Sequence, residues 1–310
     1  MSRRRGYRPG MATQVQPQSV LVPFAVATFA IALFSMMDAV MKALALAIGT
    51  FNAVFWRMLV GLTISAILYF ALRAPRPSRE ALRFHVIRGL VGTVMALTFF
   101  WGIARMPLAE AVALTFVAPL VSLYLAAALL KEPVGRRAVF ASLVGFAGVL
   151  VIVGARAGAP GDRDLWGAAS VLTSAMLYAY NIVLMRQQAL VAKPVEIAFY
   201  QYVVVCAVLA LAAPFIATFP PAGEWPELVF AAVLALVSLM LLAWAYRRAE
   251  AHRLAPVEYT ALVWAALFGF LFFREDVGLP TLVGAGLIVA GCLLAARTPQ
   301  RPEPKLEAMP

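Results

Sequence analysis

Charge is scarce in this sequence. Only 13% of its 310 residues are Asp, Glu, Lys or Arg, about half the share found in soluble domains. Hydrophobic residues make up 63%, and the mean hydropathy is +0.87. A soluble fold of this length cannot hide that much apolar surface, so that class is excluded. Alternating ten-residue strands are lacking, which excludes a membrane β-barrel. The two cysteines, Cys206 and Cys292, lie inside apolar runs without metal-ligand spacing. No metal site or cofactor is expected, and the pair carries no information on redox compartment. The two histidines, His85 and His252, read as loop residues, and Asp38 is the one aspartate inside an apolar run. With no nucleophile beside a base and no paired aspartates within the spans, an enzyme is not expected. No phosphate-binding loop occurs, so primary pumping would need another subunit.

What the chain does have is apolar runs of about 18 to 28 residues, long enough for transmembrane helices. Ten are expected, at 21–48, 51–72, 86–104, 108–130, 137–154, 165–185, 195–217, 227–246, 254–273 and 279–296. Turn formers mark the short connections, among them Gly49-Thr50, Pro107, Pro133, Pro194, Pro220-Pro221 and Pro280. The organisation expected is a tail at 1–19, five spans in 20–154, a linker at 155–164, five spans in 165–296 and a second tail at 297–310. The N-terminal arginines resemble a signal n-region, but the following run is too long and no Ala-x-Ala site follows it. A retained cytoplasmic tail is expected, with Met1 or Met11 as the start. The C-terminal tail is polar and proline-rich, as in disordered segments.

The net charge of +11 has a topological cause. Of 26 Lys and Arg, 20 fall on the N-terminal side of the spans and four (Arg105, Arg156, Arg163 and Arg274) on the other, with Lys42 and Arg57 inside spans. By the positive-inside rule both termini are cytoplasmic, and a bacterial inner membrane fits. Nucleic acid is not an expected partner. The lipid bilayer and a small-molecule solute are, and no obligatory protein partner is evident.

One polar interruption stands out, Phe34-Ser35-Met36-Met37-Asp38-Ala39-Val40-Met41-Lys42. Asp38 lies about ten residues, roughly 15 Å, from the end of its helix, and a charge there is costly unless it is paired or faces water. Lys42 is four residues on, which puts the two on one helix face as a pair. Losing Lys42 is expected to strand Asp38. Arg57 is equally far from the Gly49-Thr50 turn on the other side, so two cations and one carboxylate are expected to make a net positive spot. Tyr178, Asn181 and Glu258 are further candidates for substrate binding or coupling. Arg88, two residues into its run, is expected near the surface, and with Glu132 and Glu275 it forms the candidate gating or loop ion pairs.

The chain also repeats itself. A shift of 143 residues places Trp101 on Trp244, Arg105 on Arg248, Glu132 on Glu275, Gly148 on Gly291 and Asp38 on Asn181. Five spans per half is odd, so the second half inserts upside down, the organisation of many secondary transporters. The fold class expected is an all-α membrane protein of ten transmembrane helices in two inverted five-helix repeats. A secondary transporter is expected, with protons as one candidate coupling ion beside uniport or exchange. A channel or receptor is the alternative.

The stretch Met106-Pro107-Leu108-Ala109-Glu110-Ala111, continuing through Phe116-Val117-Ala118-Pro119-Leu120 to Lys131-Glu132-Pro133 and Gly145-Phe146-Ala147-Gly148-Val149, resembles the EamA repeat of the drug/metabolite transporter superfamily. A second copy runs from Trp264 to Arg274-Glu275 and from Gly284 to Gly291. The resemblance covers about residues 20 to 296. Asp38, Lys42, Arg57 and Arg88 are similar to a bacterial subgroup that includes carriers of S-adenosylmethionine and riboflavin. It implies small-metabolite transport (amino-acid, nucleoside-like or vitamin class) by alternating access. The chain departs from the family pattern at Lys131 and Arg274, where members often have glycine before the loop glutamate. Reporter fusion after residue 296 tests the topology: cytoplasmic activity is expected, and a periplasmic reporter would mean that the span count is wrong.

Overall fold

The computed structural model describes residues 21–73, 76–130, 136–157, 165–246, 248 and 257–296. Among them there is no strand. The helices are α1 (Leu21–Ile48), α2 (Thr50–Ala71), α3 (Arg79–Ile103), α4 (Leu108–Thr115), α5 (Ala118–Leu130), α6 (Arg136–Ala157), α7 (Leu165–Val191), α8 (Pro194–Ile216), α9 (Trp225–Tyr246), α10 (Ala261–Phe273) and α11 (Leu279–Ala296). Six segments are long and apolar enough to cross a membrane, and four shorter apolar ones accompany them, at Leu108–Ser122, Ser142–Ala155, Ala261–Phe273 and Leu279–Gly291.

Local chemistry sets the boundaries. A single residue, Gly49, turns α1 into α2 at φ +80°, a backbone that side chains with a Cβ rarely adopt. Ser78 Oγ accepts from the Ala81 N–H at 3.0 Å and caps α3, with Glu80 in the first turn. The third span therefore starts at Arg79, seven residues before the hydropathy boundary, and carries His85 and Arg88 on the helix. The loop assignment of His85 and the near-surface position of Arg88 are both corrected: His85 is 1% exposed, and Arg88 is held by two partners on α7. Pro194 opens α8, where its missing N–H costs nothing.

The fourth span is not one helix. It breaks at Phe116-Val117, where 3₁₀-type bonds tighten the turn and Pro119 cannot donate to Thr115. The ninth breaks likewise: a turn at Val257-Glu258 gives way at Tyr259-Thr260 before α10, with Thr260 Oγ1 donating back to Val257 O at 2.6 Å. The two breaks are 143 residues apart. Phe116 and Tyr259 meet edge to face at 5.4 Å, so the pseudo-two-fold axis passes between them.

The same shift relates other contacts. Arg105 lies over the Trp101 ring at 3.5 Å and donates to Trp101 O; Arg248 lies over the Trp244 ring at 4.1 Å and donates to Trp244 O. Both arginines follow the last turn of a helix, where a cation meets the negative end of the dipole. The main helix pairings, α6 with α11, α3 with α7, α1 with α9 and α2 with α8, all join one repeat to the other. The second repeat runs opposite to the first. α1 runs toward Gly49, whereas α7 starts there, with Trp166 beside Thr50, Phe51 and Trp101, and ends where Gln188 meets His85.

Where α6 crosses α11, Gly148 faces the backbone of Gly284. A Cβ on Gly148 would lie 2.4 Å from Gly284 O, and one on Gly284 would lie 2.7 Å from Gly148 O. Small residues permit this approach in membrane helices. Gly154, on the same helix, has open space in front of it. Gly148→Ala is expected to lower the melting temperature of the purified protein by several degrees, and Gly154→Ala to leave it nearly unchanged. Equal effects of the two would show that the crossing is not tightly packed.

Candidate functional site

The candidate residues fall into three clusters rather than one. The first closes the Gly49 end. Lys42, 4% exposed, is not paired with Asp38 as its spacing suggested. It donates to Glu275 Oε1 and, at 2.7 Å, to Met106 O, and its ammonium lies 5.0 Å from the centre of the Phe273 ring. Glu275 Oε2 accepts the Leu108 N–H at 2.7 Å, so the same carboxylate caps α4. One ion pair thus ties α1, the start of α4 and the end of α10 together across the repeats. Removing Lys42 strands Glu275, not Asp38.

Glu275 reaches this place through the backbone before it. Arg274 is left-handed at φ 56°, with its N–H bonded to Phe270 O and the Glu275 N–H bonded to Gly269 O, both at 3.1 Å. The bond from the left-handed residue back to Phe270 is the αL closure, in which glycine is favoured at that position. Arg274 fills it at a cost of about 1 kcal/mol. Glycine, which lacks a Cβ, would take this conformation without that cost.

The second cluster lies between α1, α2, α3 and α8. Asp38 and Arg57 are 7% and 5% exposed. Arg57 is in electrostatic reach of Asp38, Tyr202 and Cys206, yet no Arg57 nitrogen makes an ion pair with Asp38. Its guanidinium sits 5.7 Å from the centre of the Phe100 ring and 3.8 Å from the sulfur of Met58, and its Nε is buried without a partner. The net positive spot is therefore corrected. With Lys42 neutralised by Glu275, one carboxylate and one guanidinium remain.

The third cluster is a buried polar chain near the opposite end. Arg88 Nε donates to Asn181 Oδ1 at 3.1 Å, and its NH1 donates to Gln188 Oε1 at 2.7 Å. Gln188 Nε2 then faces His85 Nδ1 at 2.7 Å, and His85 Nε2 faces Glu196 Oε1 at 2.9 Å. The order of roles follows from donor chemistry. Arg88 can only donate, which fixes the Gln188 oxygen toward it and the Gln188 NH₂ toward His85. His85 Nδ1 must accept, so the ring is neutral and its Nε2–H donates to Glu196. Tyr200 stacks on the ring at 4.9 Å. Tyr178, 41% exposed, lies in electrostatic reach of Arg88 and Glu258. Glu258 is exposed, in the short turn before the ninth-span break.

Glu110 is buried in the first turn of α4. Glu132 lies outside the described residues. Sequence reading missed Gln188, Glu196, Tyr202 and Phe100. A signal existed for Gln188, which is seven residues from Asn181 on one face of α7. Glu196 looked like an ordinary acidic residue in the first turn of a helix.

Comparison with known proteins adds identity to this geometry. The model of the EamA-like transporter family matches residues 22–154 and 165–297. The pseudopaline exporter of Pseudomonas aeruginosa is 28% identical over 86% of this chain and 92% of its own length. The S-adenosylmethionine uptake transporter of Rickettsia bellii is 24% identical over 83% of this chain and 87% of its own. The riboflavin transporter of Rhizobium johnstonii is 26% identical over 71% and 72%. One solved crystal structure superposes with a TM-score of 0.59 at 22% identity, covering 89% of this chain and 96% of its own, a likeness of fold alone.

The ion pair that closes the Gly49 end is open to a double-mutant cycle. Lys42→Met and Glu275→Gln are each expected to destabilise the protein, and the double variant to recover part of the loss. A coupling on the order of 1–3 kcal/mol is expected from chemical denaturation in mixed micelles. Additive effects would show that the two side chains act independently.

Proposed function

The chain belongs to the EamA-like transporter family, and from that premise we propose that it is a secondary-active, inner-membrane transporter of a small organic metabolite, working by alternating access. The observation that carries the proposal is a pair of buried, separated charges, Asp38 and Arg57, held among interleaved repeats whose Gly49 end is closed by Lys42 and Glu275. Charges in a membrane interior face a solute or ion path far more often than they anchor a fold.

In this reading Asp38 and Arg57 contact the solute. Tyr178, Asn181, Arg88 and Glu258 line the path on the other side of the axis. The Lys42–Glu275 pair is the gate that parts when the Gly49 end opens. Both termini are cytoplasmic, which puts the Gly49 end on the periplasmic side, in accord with the distribution of Lys and Arg. The relatives are named for S-adenosylmethionine, riboflavin and pseudopaline, and the substrate here belongs among small metabolites of amino-acid, nucleoside-like or vitamin type. Protons serve as coupling ion if Asp38 exchanges one for the solute.

Reconstituted vesicles test the proposal. Saturable flux with counterflow is expected, and flux at channel rates without saturation would sink it. Asp38→Asn keeps the shape and removes the charge. It is expected to cut transport at least tenfold while expression and melting temperature stay near those of the parent. Transport at the parent rate and pH dependence would make Asp38 structural.

A further inference from the structure

The end of the bundle opposite Gly49 carries a group of cations where α2 passes into α3. Arg73, Arg76, Arg79 and Arg83 fall within eleven residues, with Glu80 as the one acid among them. All four are exposed, and among the described residues none has an ion pair or a side-chain hydrogen bond. Arg76 lies in electrostatic reach of Tyr69, which places it beside the last turn of α2. Other arginines at helix ends serve the fold: Arg105 and Arg248 each stack on a tryptophan and donate to its carbonyl.

Two of the four stand where the chain gains nothing from them internally. Arg79 is the first residue of α3 after its Ser78 cap, at the positive end of the helix dipole, where a cation is disfavoured. Arg73 is left-handed at φ 46°, a backbone that glycine adopts freely and a residue with a Cβ only under strain. Depth adds to this. About 20 residues of helix cross the hydrocarbon layer, and α3 has 25. Its first turns, with Arg79 and Arg83, therefore stand at the level of the lipid headgroups. Positions 79, 83, 86, 90 and 94 follow the steps of one helix face. Below the two arginines that face continues as Val86, Leu90 and Val94, all exposed. Glu80 lies about 100° round the helix from Arg79. Another face of α3 is the packed one, where Gly89 and Gly92 meet Val204 and Gln201 of α8.

We propose that this face of α3 binds an anionic phospholipid, with the phosphate on Arg79 and Arg83, Arg73 and Arg76 beside it, and an acyl chain along Val86, Leu90 and Val94. Guanidinium groups grip phosphate oxygens in pairs, and four cations directly beside a membrane span attract anionic lipid. A phosphatidylcholine headgroup would bring its own ammonium among the arginines. A soluble phosphate would leave the aliphatic row uncovered. Only a lipid with net negative charge answers both parts of the face.

The test uses the full chain, purified in mixed micelles, with thermal melting followed as lipid is added. The probes are dioleoylphosphatidylglycerol, dioleoylphosphatidylcholine, glycerol 3-phosphate and inorganic phosphate. Half-maximal stabilisation is expected with at least fivefold less phosphatidylglycerol than phosphatidylcholine, and no effect of either soluble phosphate at the same concentrations. Arg79→Gln with Arg83→Gln should raise the phosphatidylglycerol requirement to that of phosphatidylcholine, with the melting temperature before lipid addition near that of the parent. Arg301→Gln with Lys305→Gln takes the same charge from the C-terminal tail and should leave the preference intact. If the first double variant does not fold or inserts with inverted topology, Arg79→Lys with Arg83→Lys keeps the charge and loses the forks. It should then need at least twofold more phosphatidylglycerol than the parent. Equal response to the two lipids, or stabilisation by a soluble phosphate at matched concentration, would overturn the lipid site. Equal loss in the tail variant would reduce it to bulk charge, and an unchanged requirement in either α3 variant would remove Arg79 and Arg83 from it; both results overturn the proposal.

Discussion

A charge placed inside a bilayer must find a partner there, and in this chain the partner comes from the other repeat. Lys42 on α1 takes Glu275 after α10. Arg88 on α3 takes Asn181 and Gln188 on α7, and His85 takes Gln188 and Glu196 on α7 and α8. Even the uncharged Asn52 on α2 trades two hydrogen bonds with Thr218 beyond α8. Because bilayer and helix surfaces are equally apolar, hydrophobicity alone does not fix which helices touch. These bonds, with the small-residue crossings, do. Asp38 and Arg57 stand apart from the rule, since both belong to the first repeat and neither reaches the other.

The repeats are consequently not separable bodies. Each main helix pairing crosses between them, so neither half keeps its buried faces covered without the other. The repeat is a unit of sequence rather than of packing. Among the described residues, the bonds that cross between the repeats at the Gly49 end include the Lys42–Glu275 pair, the Leu108 N–H held by Glu275, and the bonds of Asn52 and Trp56 to Thr218.

Much of the architecture was legible in the sequence because it rests on long-range composition and on a constant shift. Trp101 and Trp244 with their arginines are 143 residues apart, and the structure gives both pairs the same stacking. Less legible was anything set by a partner distant in the chain. Asp38 and Lys42 share a face by spacing, but Lys42 turns toward a glutamate 233 residues on. The start of α3 was hidden because Arg79, Glu80, Arg83, His85 and Arg88 lower the hydropathy of its first turns, although Ser78 was a fair cap signal. The helix breaks were hidden because hydropathy is blind to backbone direction. Pro119 marked the first, while the second has only Thr260 bonding back to Val257.

The edge-to-face contact of Phe116 with Tyr259 carries a consequence for the symmetry of the fold. When two copies of one chain associate about a two-fold axis, a residue on the axis meets itself. Phe116 and Tyr259 occupy the same register of their repeats and meet in that manner, so the axis that relates the repeats runs through a contact inside a single polypeptide. The two positions hold different residues, Phe on one side and Tyr on the other, so the symmetry is broken on the axis itself by a single hydroxyl. A change of size at either position is felt first by its counterpart across the axis. Asp38 and Asn181, which share no hydrogen bond, are under no such mutual constraint, and one carries a carboxylate where the other carries an amide.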